Sequence, residues 1–433
     1  MKSLLKKIVV SIITFEAKLV LKKYKPKIVA VTGTVGKTST KDAIFCAFSN
    51  IVYARKSVKS FNSEIGIPLT ILGCPNGWNN PIIWLRNFID GLFLIILPNH
   101  YPKWLILEIG ADRPGDIESV SRWLTVETAV FTKMSMVPVH VEFFDSPEML
   151  FKEKMSLLKA LHSPSQNVVF NSDDEMISEY FSTKEEFKKI SYGFGGDAQI
   201  NVSNYKIVYD TKSKFPTGVN FKINYNGSSL PFFINGTLGK HQIYAVLAAV
   251  ACAKANEMNL IGALQGLENY QTPPGRMRIL GGVKDSLIID DTYNSSPAAL
   301  FEALSVLREL KVSGRKIAIL GDMMELGKYS VEEHKNAGRI SAEFVDLLVT
   351  VGVRSHYTAE AALELGFPEE KIMQFDNAEL AGKQVELFLK KGDIVLVKGS
   401  QAVRMEKAVL EIMAEPMKKD ELLVRQEKEW ENK

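Results

Sequence analysis

Cysteine is scarce: Cys46, Cys74 and Cys252 are the only three in 433 residues, far apart and without a C-x-x-C pair. That excludes a disulfide framework and a zinc site made by cysteines alone, and it points to a reducing compartment. Charge of one sign is not in excess either. The 53 Lys+Arg against 50 Asp+Glu leave +3, which gives no electrostatic reason to expect a nucleic-acid binder. In the opening stretch, residues 1–27, the longest uncharged run is Ile8 to Phe15, eight residues, too short to span a bilayer. It lacks a small-x-small cleavage site, and Glu16 and Lys18 interrupt the apolar stretch, so a secretory signal is not expected. No internal repeat is present. What remains is 46% apolar and 24% charged residues, the balance of a globular chain, with two or three domains at roughly 150 residues each.

The opening segment reads as a helix flanked by lysines, Lys2, Lys6 and Lys7 before and Lys22, Lys23, Lys25 and Lys27 after. Such a helix either packs on the protein body or lies on an anionic membrane surface. Residues 78–104 pose the same choice. On a helix, Arg86, Asn87, Asp90 and Gly91 share one narrow face, and Ile82, Ile83, Leu85, Phe88, Ile89, Leu92, Phe93 and Ile96 cover the rest. So wide an apolar face needs an apolar partner, protein or lipid. Trp78, Trp84, Tyr101 and Trp104 flank it as interfacial anchors do.

From Lys27 onward β and α patterns alternate. Residues 27–34, 104–111, 127–134 and 167–170 are short apolar runs of the parallel-sheet kind. Residues 148–161 have helical spacing. Residues 192–235 are rich in Gly, Asn and Thr with alternating apolar positions, and Asn226-Gly227 is a hairpin signal. A helix is expected from about 239 to 255. Pro273, Pro274 and Gly275 then punctuate the chain. A second alternating series follows: strands at 286–291, 316–322, 344–352 and 393–400, with a helix at 297–310. The expected class is α/β: a central P-loop ATPase domain with a parallel sheet plus a β-rich portion, then a C-terminal Rossmann-like α/β domain. The boundaries are a basic amphipathic segment at 1–27, a central domain at 28–272 with an apolar insertion at 78–104, and a C-terminal domain at 273–433. The charged tail after Glu415 reads as a solvated end.

Thr32-Gly33-Thr34-Val35-Gly36-Lys37-Thr38-Ser39 joins a strand to a helix, the context that makes a phosphate-binding loop credible. Backbone N–H groups from Gly33 to Lys37 wrap phosphate oxygens, and the helix N-terminus adds a favourable dipole. Lys37 meets the β/γ-phosphates, and Thr38 offers its hydroxyl to Mg²⁺. The loop alone indicates a nucleoside triphosphate without naming the reaction.

The wording T-G-T-x-G-K-T-S resembles that of the Mur ligases, the ATP-dependent amide-forming enzymes of peptidoglycan precursor assembly. Further segments resemble its MurF branch: Ser60-Phe61-Asn62-Ser63-Glu64-Ile65-Gly66-Ile67-Pro68, Glu108-Ile109-Gly110-Ala111-Asp112-Arg113-Pro114-Gly115-Asp116-Ile117, and His140-Val141-Glu142. So do Asp290-Asp291-Thr292-Tyr293-Asn294-Ser295-Ser296-Pro297, Leu320-Gly321-Asp322-Met323-Met324-Glu325-Leu326-Gly327 and Lys398-Gly399-Ser400. The resemblance runs in order from residue 28 to about 408. It implies that a carboxylate attacks the ATP γ-phosphate and that an amine such as D-alanyl-D-alanine displaces phosphate from the acyl phosphate. Thr38 and Glu108 would hold one Mg²⁺. His140 and a carbamylated Lys154, fourteen residues further on, would hold a second. Lys152 and Lys159 lie close by, so spacing alone does not pick out Lys154. The resemblance further implies that Arg276 reaches the ATP phosphates, that Asp290 or Asp291 lies near the ribose, and that His241 lies near the adenine. Gly33, Thr34, Gly36 and Ser39 complete the nucleotide loop. Asn62, Asn294, Asp322, Glu325 and Lys398 would line the substrate pockets. His334 reads as a satisfied surface or core histidine.

Three departures stand out. Enzymes of the MurF type carry an N-terminal UDP-sugar-binding domain of about 80 residues, whereas here the phosphate loop stands at residue 33, so that grip is expected to be missing or replaced. Gln242, Ala245 and Ser63 stand where asparagines are usual, so base contacts are expected to differ. The 78–104 segment is longer than the usual connection. The expected partners are a small peptide-bearing acceptor and an amino-acid or dipeptide amine, without nucleic acid. Membrane contact through 1–25 and 78–104, or a partner protein, would compensate for the lost domain. The expected location is cytoplasmic, at the inner face of the plasma membrane. The competing readings are a Mur-like ligase with a non-peptidoglycan or lipid-linked acceptor and an ATP-binding membrane module without ligase activity.

Overall fold

The computed structural model describes residues 3–58, 61–134, 141–144, 146–427 and 430. The chain opens with α1 (Ser3–Tyr24), β1 (Lys27–Thr32), α2 (Lys37–Ser49), β2 (Ala54–Lys56), α3 (Gly66–Leu72), α4 (Pro81–Ile96), β3 (Trp104–Glu108), α5 (Asp116–Ser121) and β4 (Thr128–Phe131). It continues with α6 (Pro147–Met155), β5 (Asn167–Asn171), α7 (Glu175–Ser182), β6 (Lys188–Gly193), β7 (Ile200–Tyr209), β8 (Pro216–Tyr225), β9 (Ser228–Asn235), α8 (Lys240–Ala255) and α9 (Leu260–Leu267). These strands form one nine-stranded sheet, ordered β2-β3-β1-β4-β5-β6-β7-β8-β9. Pairing is parallel from β2 across to β7, and antiparallel for β7–β8 and β8–β9. Strands such as Trp104–Glu108 are buried along their whole length, as a sheet covered on both faces requires. Val29, Val31, Ile106 and Val130 face α2 and α8. Ile28, Ala30, Leu105 and Phe131 face the side of α1, α3, α5 and α7. The expected hairpin closes at Asn226-Gly227 (φ 46° and 77°), both in the left-handed region a two-residue turn demands.

After the 271–277 linker come β10 (Arg278–Gly282), β11 (Ser286–Asp291), α10 (Pro297–Glu309), β12 (Lys316–Gly321), α11 (Ser330–Ala342), β13 (Leu347–Val351) and α12 (His356–Glu364). Then follow β14 (Ile372–Phe375), α13 (Ala378–Phe388), β15 (Ile394–Lys398), α14 (Glu406–Ile412) and α15 (Lys419–Leu422). The six-stranded sheet runs β10-β11-β15-β12-β13-β14, parallel except for β10. The α10/α11 face of this sheet shares one apolar cluster with the α2/α8 face of the first. The two sheets therefore stand in packed contact.

Three segments that the sequence left open or read as solvated take definite positions. First, the inner face of α1 packs on the central body, one of the two readings of that helix: Val9, Ile13, Ala17 and Val20 are buried with α3 and α4. Second, among the described residues much of the apolar face of α4 has no protein partner. Asn87 and Gly91 are buried with Trp84, while the apolar positions 82, 85, 89, 92, 93 and 96 are exposed. Of the expected interfacial anchors only Trp78 is exposed, since Trp84, Tyr101 and Trp104 sit in the core. Third, the tail is docked in part: Leu423 is buried, and Arg425 ties to Glu406 at 2.9 Å.

Candidate active site

In parallel sheets the C-terminal strand ends face the ligand crevice. Here β1 delivers the phosphate loop and its neighbour β3 delivers Glu108, in register with Val31. Gly33 must be glycine: its φ is 144°, and a Cβ there would lie 2.0 Å from Thr132 Oγ1. The N–H groups of Thr34 and Val35 are tied to the Lys133 carbonyl, at 2.8 and 3.2 Å. The first turn of α2 has no side-chain cap at Gly36, so its N–H groups remain for an anion.

Glu108 is almost fully buried. Its Oε2 accepts from Thr38 Oγ1 at 2.9 Å and its Oε1 from Asn62 Nδ2 at 3.2 Å. Lys41, one helical turn after Lys37, stands 4.0 Å from Oε2 and donates to the Ser57 carbonyl at 2.9 Å. The Lys37 and Lys154 ammonium groups donate to the same Gly33 carbonyl, at 2.9 and 3.1 Å. Burial lowers the Lys37 pKa. Burial, and then the Lys37 charge, holds Lys154 well below the ordinary lysine range. Lys154 is 4% exposed, whereas Lys152 and Lys159 are exposed. The structure thus separates three lysines that spacing could not. The placement has a cause: neighbouring Glu153 accepts from the N–H groups of Gly115, Ile117 and Glu118, pinning α6 to the start of α5.

The C-terminal domain closes the cavity. Arg276 Nη2 donates to Thr38 Oγ1 at 3.3 Å, and its guanidinium lies 3.9 Å from the Tyr293 ring centroid. One cavity is lined by Thr34, Gly36, Lys37, Thr38, Asn62 and Glu108 together with Lys154, Arg276 and Asn294. Asp112, Tyr293, Ser295 and Gln401 also line it and had no role in the sequence reading. Asp112 could have been found, since it lies inside the Glu108–Ile117 motif. Lys41 could have been found as the i+4 neighbour of Lys37.

The remaining expected residues stand further back. Lys398 Nζ donates to Asp291 Oδ2 at 2.5 Å and to the Asn294 carbonyl at 3.0 Å. Asp291 and Asp290 also hold the interdomain linker, accepting from the Met277 and Gly275 N–H groups. Burial pushes the Asp290 carboxyl up to about 6. His241, with its pKa lowered by burial, lies outside the cavity lining, as does Ser39, which is hydrogen-bonded to Tyr270. Asp322 Oδ1 accepts from the Ser355 N–H at 2.7 Å, at the start of α12. Glu325 sits in a left-handed turn (φ 62°) just before Gly327, which approaches Glu142 of the central domain. His334 is a core residue: its Nε2 accepts from the Met323 N–H at 2.9 Å. His140 lies outside the described residues.

Among the described residues no group of three or more His, Cys, Asp or Glu could hold a metal. The oxygen donors at Thr38 and Glu108 nevertheless fit a hard cation that takes few protein ligands and completes its shell with phosphate oxygens and water.

The description Mur ligase middle domain matches residues 92–253, and Mur ligase, glutamate ligase domain, matches residues 275–401. The chain is 26% identical over 402 residues to the UDP-N-acetylmuramoyl-tripeptide–D-alanyl-D-alanine ligase of Bacillus subtilis (strain 168), covering 93% of this chain and 79% of that one. To the enzyme of the same name from Escherichia coli (strain K12) it is 25% identical over 390 residues, covering 88% and 76%. Two solved structures share the fold. MurF ligase from Thermotoga maritima in complex with ADP matches with a TM-score of 0.74 at 24% identity, covering 93% of this chain and 82% of that one. MurF from Acinetobacter baumannii matches with a TM-score of 0.75 at 22% identity, covering 95% and 80%.

Proposed function

We propose that this chain, which belongs to the Mur ligase family, is an ATP-dependent, ADP-forming carboxylate–amine ligase of peptidoglycan precursor synthesis. The amine is D-alanyl-D-alanine or a close analogue, and the acceptor is the carboxyl end of a muramoyl peptide. The observation that carries the reading is the pair of amines on one carbonyl. Lys37 and Lys154 crowd the Gly33 oxygen beside the Thr38–Glu108 contact, inside the cavity that the linker arginine closes. Two lysine Nζ atoms held that close beside an uncapped helix N-terminus suit a site built for polyanionic oxygens.

The acceptor carboxylate attacks the γ-phosphorus of ATP, giving an acyl phosphate and ADP. The amine then adds to the acyl carbon, phosphate leaves, and the amine nitrogen loses a proton. The first turn of α2 and Lys37 hold the β/γ-phosphates. Arg276, carried by the linker, neutralises charge as the domains meet. Thr38 and Glu108 would hold Mg²⁺, which supplies charge neutralisation between phosphate oxygens. Burial and the Lys37 charge shift Lys154 towards the free amine, the form that adds CO₂. Its carbamate would give an anionic oxygen ligand for a second Mg²⁺, shared with His140. Packing of the second domain excludes water from the acyl phosphate.

The acceptor is presented at the inner face of the plasma membrane, with peripheral contact through residues 1–25 and 78–104. The test is incubation with ATP, Mg²⁺, D-alanyl-D-alanine and either UDP-linked or lipid-linked muramoyl tripeptide, reading ADP and product mass. Amide product with one of the two supports the reading. ATP turnover without product, or no turnover with either acceptor, overturns it.

A further inference from the structure

Helix α4 leaves much of its apolar surface uncovered by protein among the described residues. Ile82, Leu85, Ile89, Leu92, Phe93 and Ile96 are 43–75% exposed, while its inner face is Trp84, Asn87 and Gly91. The inner face is fixed by polar contacts. Asn87 Nδ2 donates to the Pro75 carbonyl at 2.8 Å, and Trp84 Nε1 donates to the Trp78 carbonyl at 3.0 Å. Gly91 lets α1 approach so closely that a Cβ there would meet Glu16 Oε2 at 2.5 Å. Both ends are secured as well. The Asn80 side chain caps the N-terminus, and Lys23 Nζ donates to the carbonyls of Leu94, Ile95 and Leu97. The helix is locked with its apolar side outward. Neighbouring α1 adds exposed Ile8, Ile12 and Phe15.

The charge of the α1 segment is one-sided, and α4 adds the exposed, mutually neutralising Arg86–Asp90 pair. Residues 1–27 hold eight lysines and one acid, Glu16, and that acid is buried. Among the described residues no helix is long and apolar enough to cross a membrane. A broad apolar face beside a lysine-rich helix is the composition of a surface-lying membrane anchor. A second copy related by a two-fold axis would set lysines against lysines. The face is also continuous with the site: Lys6, Lys7 and Lys18 line a groove with Glu64 and Arg113, and Arg113 adjoins Asp112 of the active cavity.

From this we propose that the outer faces of α1 and α4 together form a docking surface for an anionic lipid bilayer, holding the active cavity beside the membrane. The inference rests on the membrane contact put forward above and gives it a lipid class and named residues. It does not depend on the ligase reaction. The test is co-sedimentation of the full chain with phosphatidylglycerol-containing vesicles and with pure phosphatidylcholine vesicles. The expected result is binding to the anionic vesicles at least about tenfold tighter, weakened at about 0.5 M salt. A Leu85→Glu, Phe93→Glu double variant should lose at least about tenfold in binding while keeping the thermal shift induced by ADP. Should that variant lose the ADP shift, quenching of exposed Trp78 by brominated anionic lipid in the unsubstituted chain decides in its place. Equal sedimentation with both vesicle types, undiminished binding by a folded double variant, or absence of quenching overturns the proposal. So does a dimer in solution that the double variant dissociates. Vesicle binding without ligase turnover would overturn the proposed reaction and leave the docking surface standing.

Discussion

Glu16 offers a quantitative test of the α1–α4 contact. Its carboxylate is buried between the two helices, its Oε2 has no hydrogen-bond partner, and Gly91 presses against it. Burial pushes the carboxyl from an ordinary 4.5 up to about 7. Between those values the folded chain holds a proton that the unfolded chain has released, so stability falls as pH rises from about 4.5 to about 7 and then stays reduced. At about 1.36 kcal/mol per decade the ceiling is about 3 kcal/mol, and relaxation of the site around the charged form brings it to about 1–2 kcal/mol. Glu16→Gln keeps the shape and removes the titration. The variant should match the parent near pH 4.5 and exceed it by about 1–2 kcal/mol at pH 8. The measurement is urea unfolding followed by tryptophan fluorescence at both pH values. Subtracting variant from parent cancels the parallel loss from buried Asp290. A difference that does not change with pH, or one that favours the parent at pH 8, refutes the reasoning.

Lys154→Ala should lower amide synthesis by at least about a hundredfold while ADP binding persists, since Lys37 and the loop remain; product formation at the parent's rate would contradict the assigned metal-bridging role. Gly33→Ala places a methyl group 2.0 Å from Thr132 Oγ1 at φ 144°. It should destabilise the fold by at least about 1–3 kcal/mol and abolish the ADP-induced thermal shift, whereas an intact shift would mean the loop is not held as described. Asp291→Asn removes the partner of a lysine that is 2% exposed and should cost about 3–5 kcal/mol. Adding Lys398→Met should recover part of that loss in the same unfolding assay, and strictly additive losses would deny the pairing.

Buried runs carried most of the fold into view. Strands such as Lys27–Thr32 and Ile394–Lys398 are apolar nearly end to end because both faces of their sheets are covered. The short strands β6, β10 and β14 lacked such a run, so 188–193, 278–282 and 372–375 escaped notice. The phosphate loop was legible because glycines and Gly-Lys-Thr fall between a strand and a helix. Lys154 was not separable from Lys152 and Lys159 by pattern, since only tertiary burial distinguishes them. What covers α4 was left open between protein and lipid for a definite reason. Periodicity locates an apolar stripe, yet it cannot say which stripe faces inward when a glycine at 91 lets another helix approach more closely than any side chain permits. The resemblance placed Asp290 or Asp291 near the ribose. Their hydrogen bonds to Gly275 and Met277, a tertiary fact, make them braces of the linker.

Gln242 illustrates how a departure from the usual asparagine acquires a structural use. Its side chain is fully buried. The Nε2 group donates to the Arg276 carbonyl at 3.0 Å, and Oε1 accepts from the Tyr270 hydroxyl at 2.8 Å. The amide thus ties Tyr270 to the linker that aims Arg276 at Thr38, and the side chain of buried Ala245 has no polar atom to offer a base. Gln242→Leu preserves the bulk and deletes both hydrogen bonds, leaving a buried carbonyl and hydroxyl without these partners, at a cost of about 2 kcal/mol. Because the linker arginine would lose its orientation, turnover should fall more than nucleotide affinity does: kcat should drop by about tenfold with the ADP dissociation constant changed less than about threefold. Calorimetric titration of ADP alongside steady-state kinetics separates the possibilities. Weakened ADP binding with unchanged stability would place Gln242 against the nucleotide and remove it from the hinge.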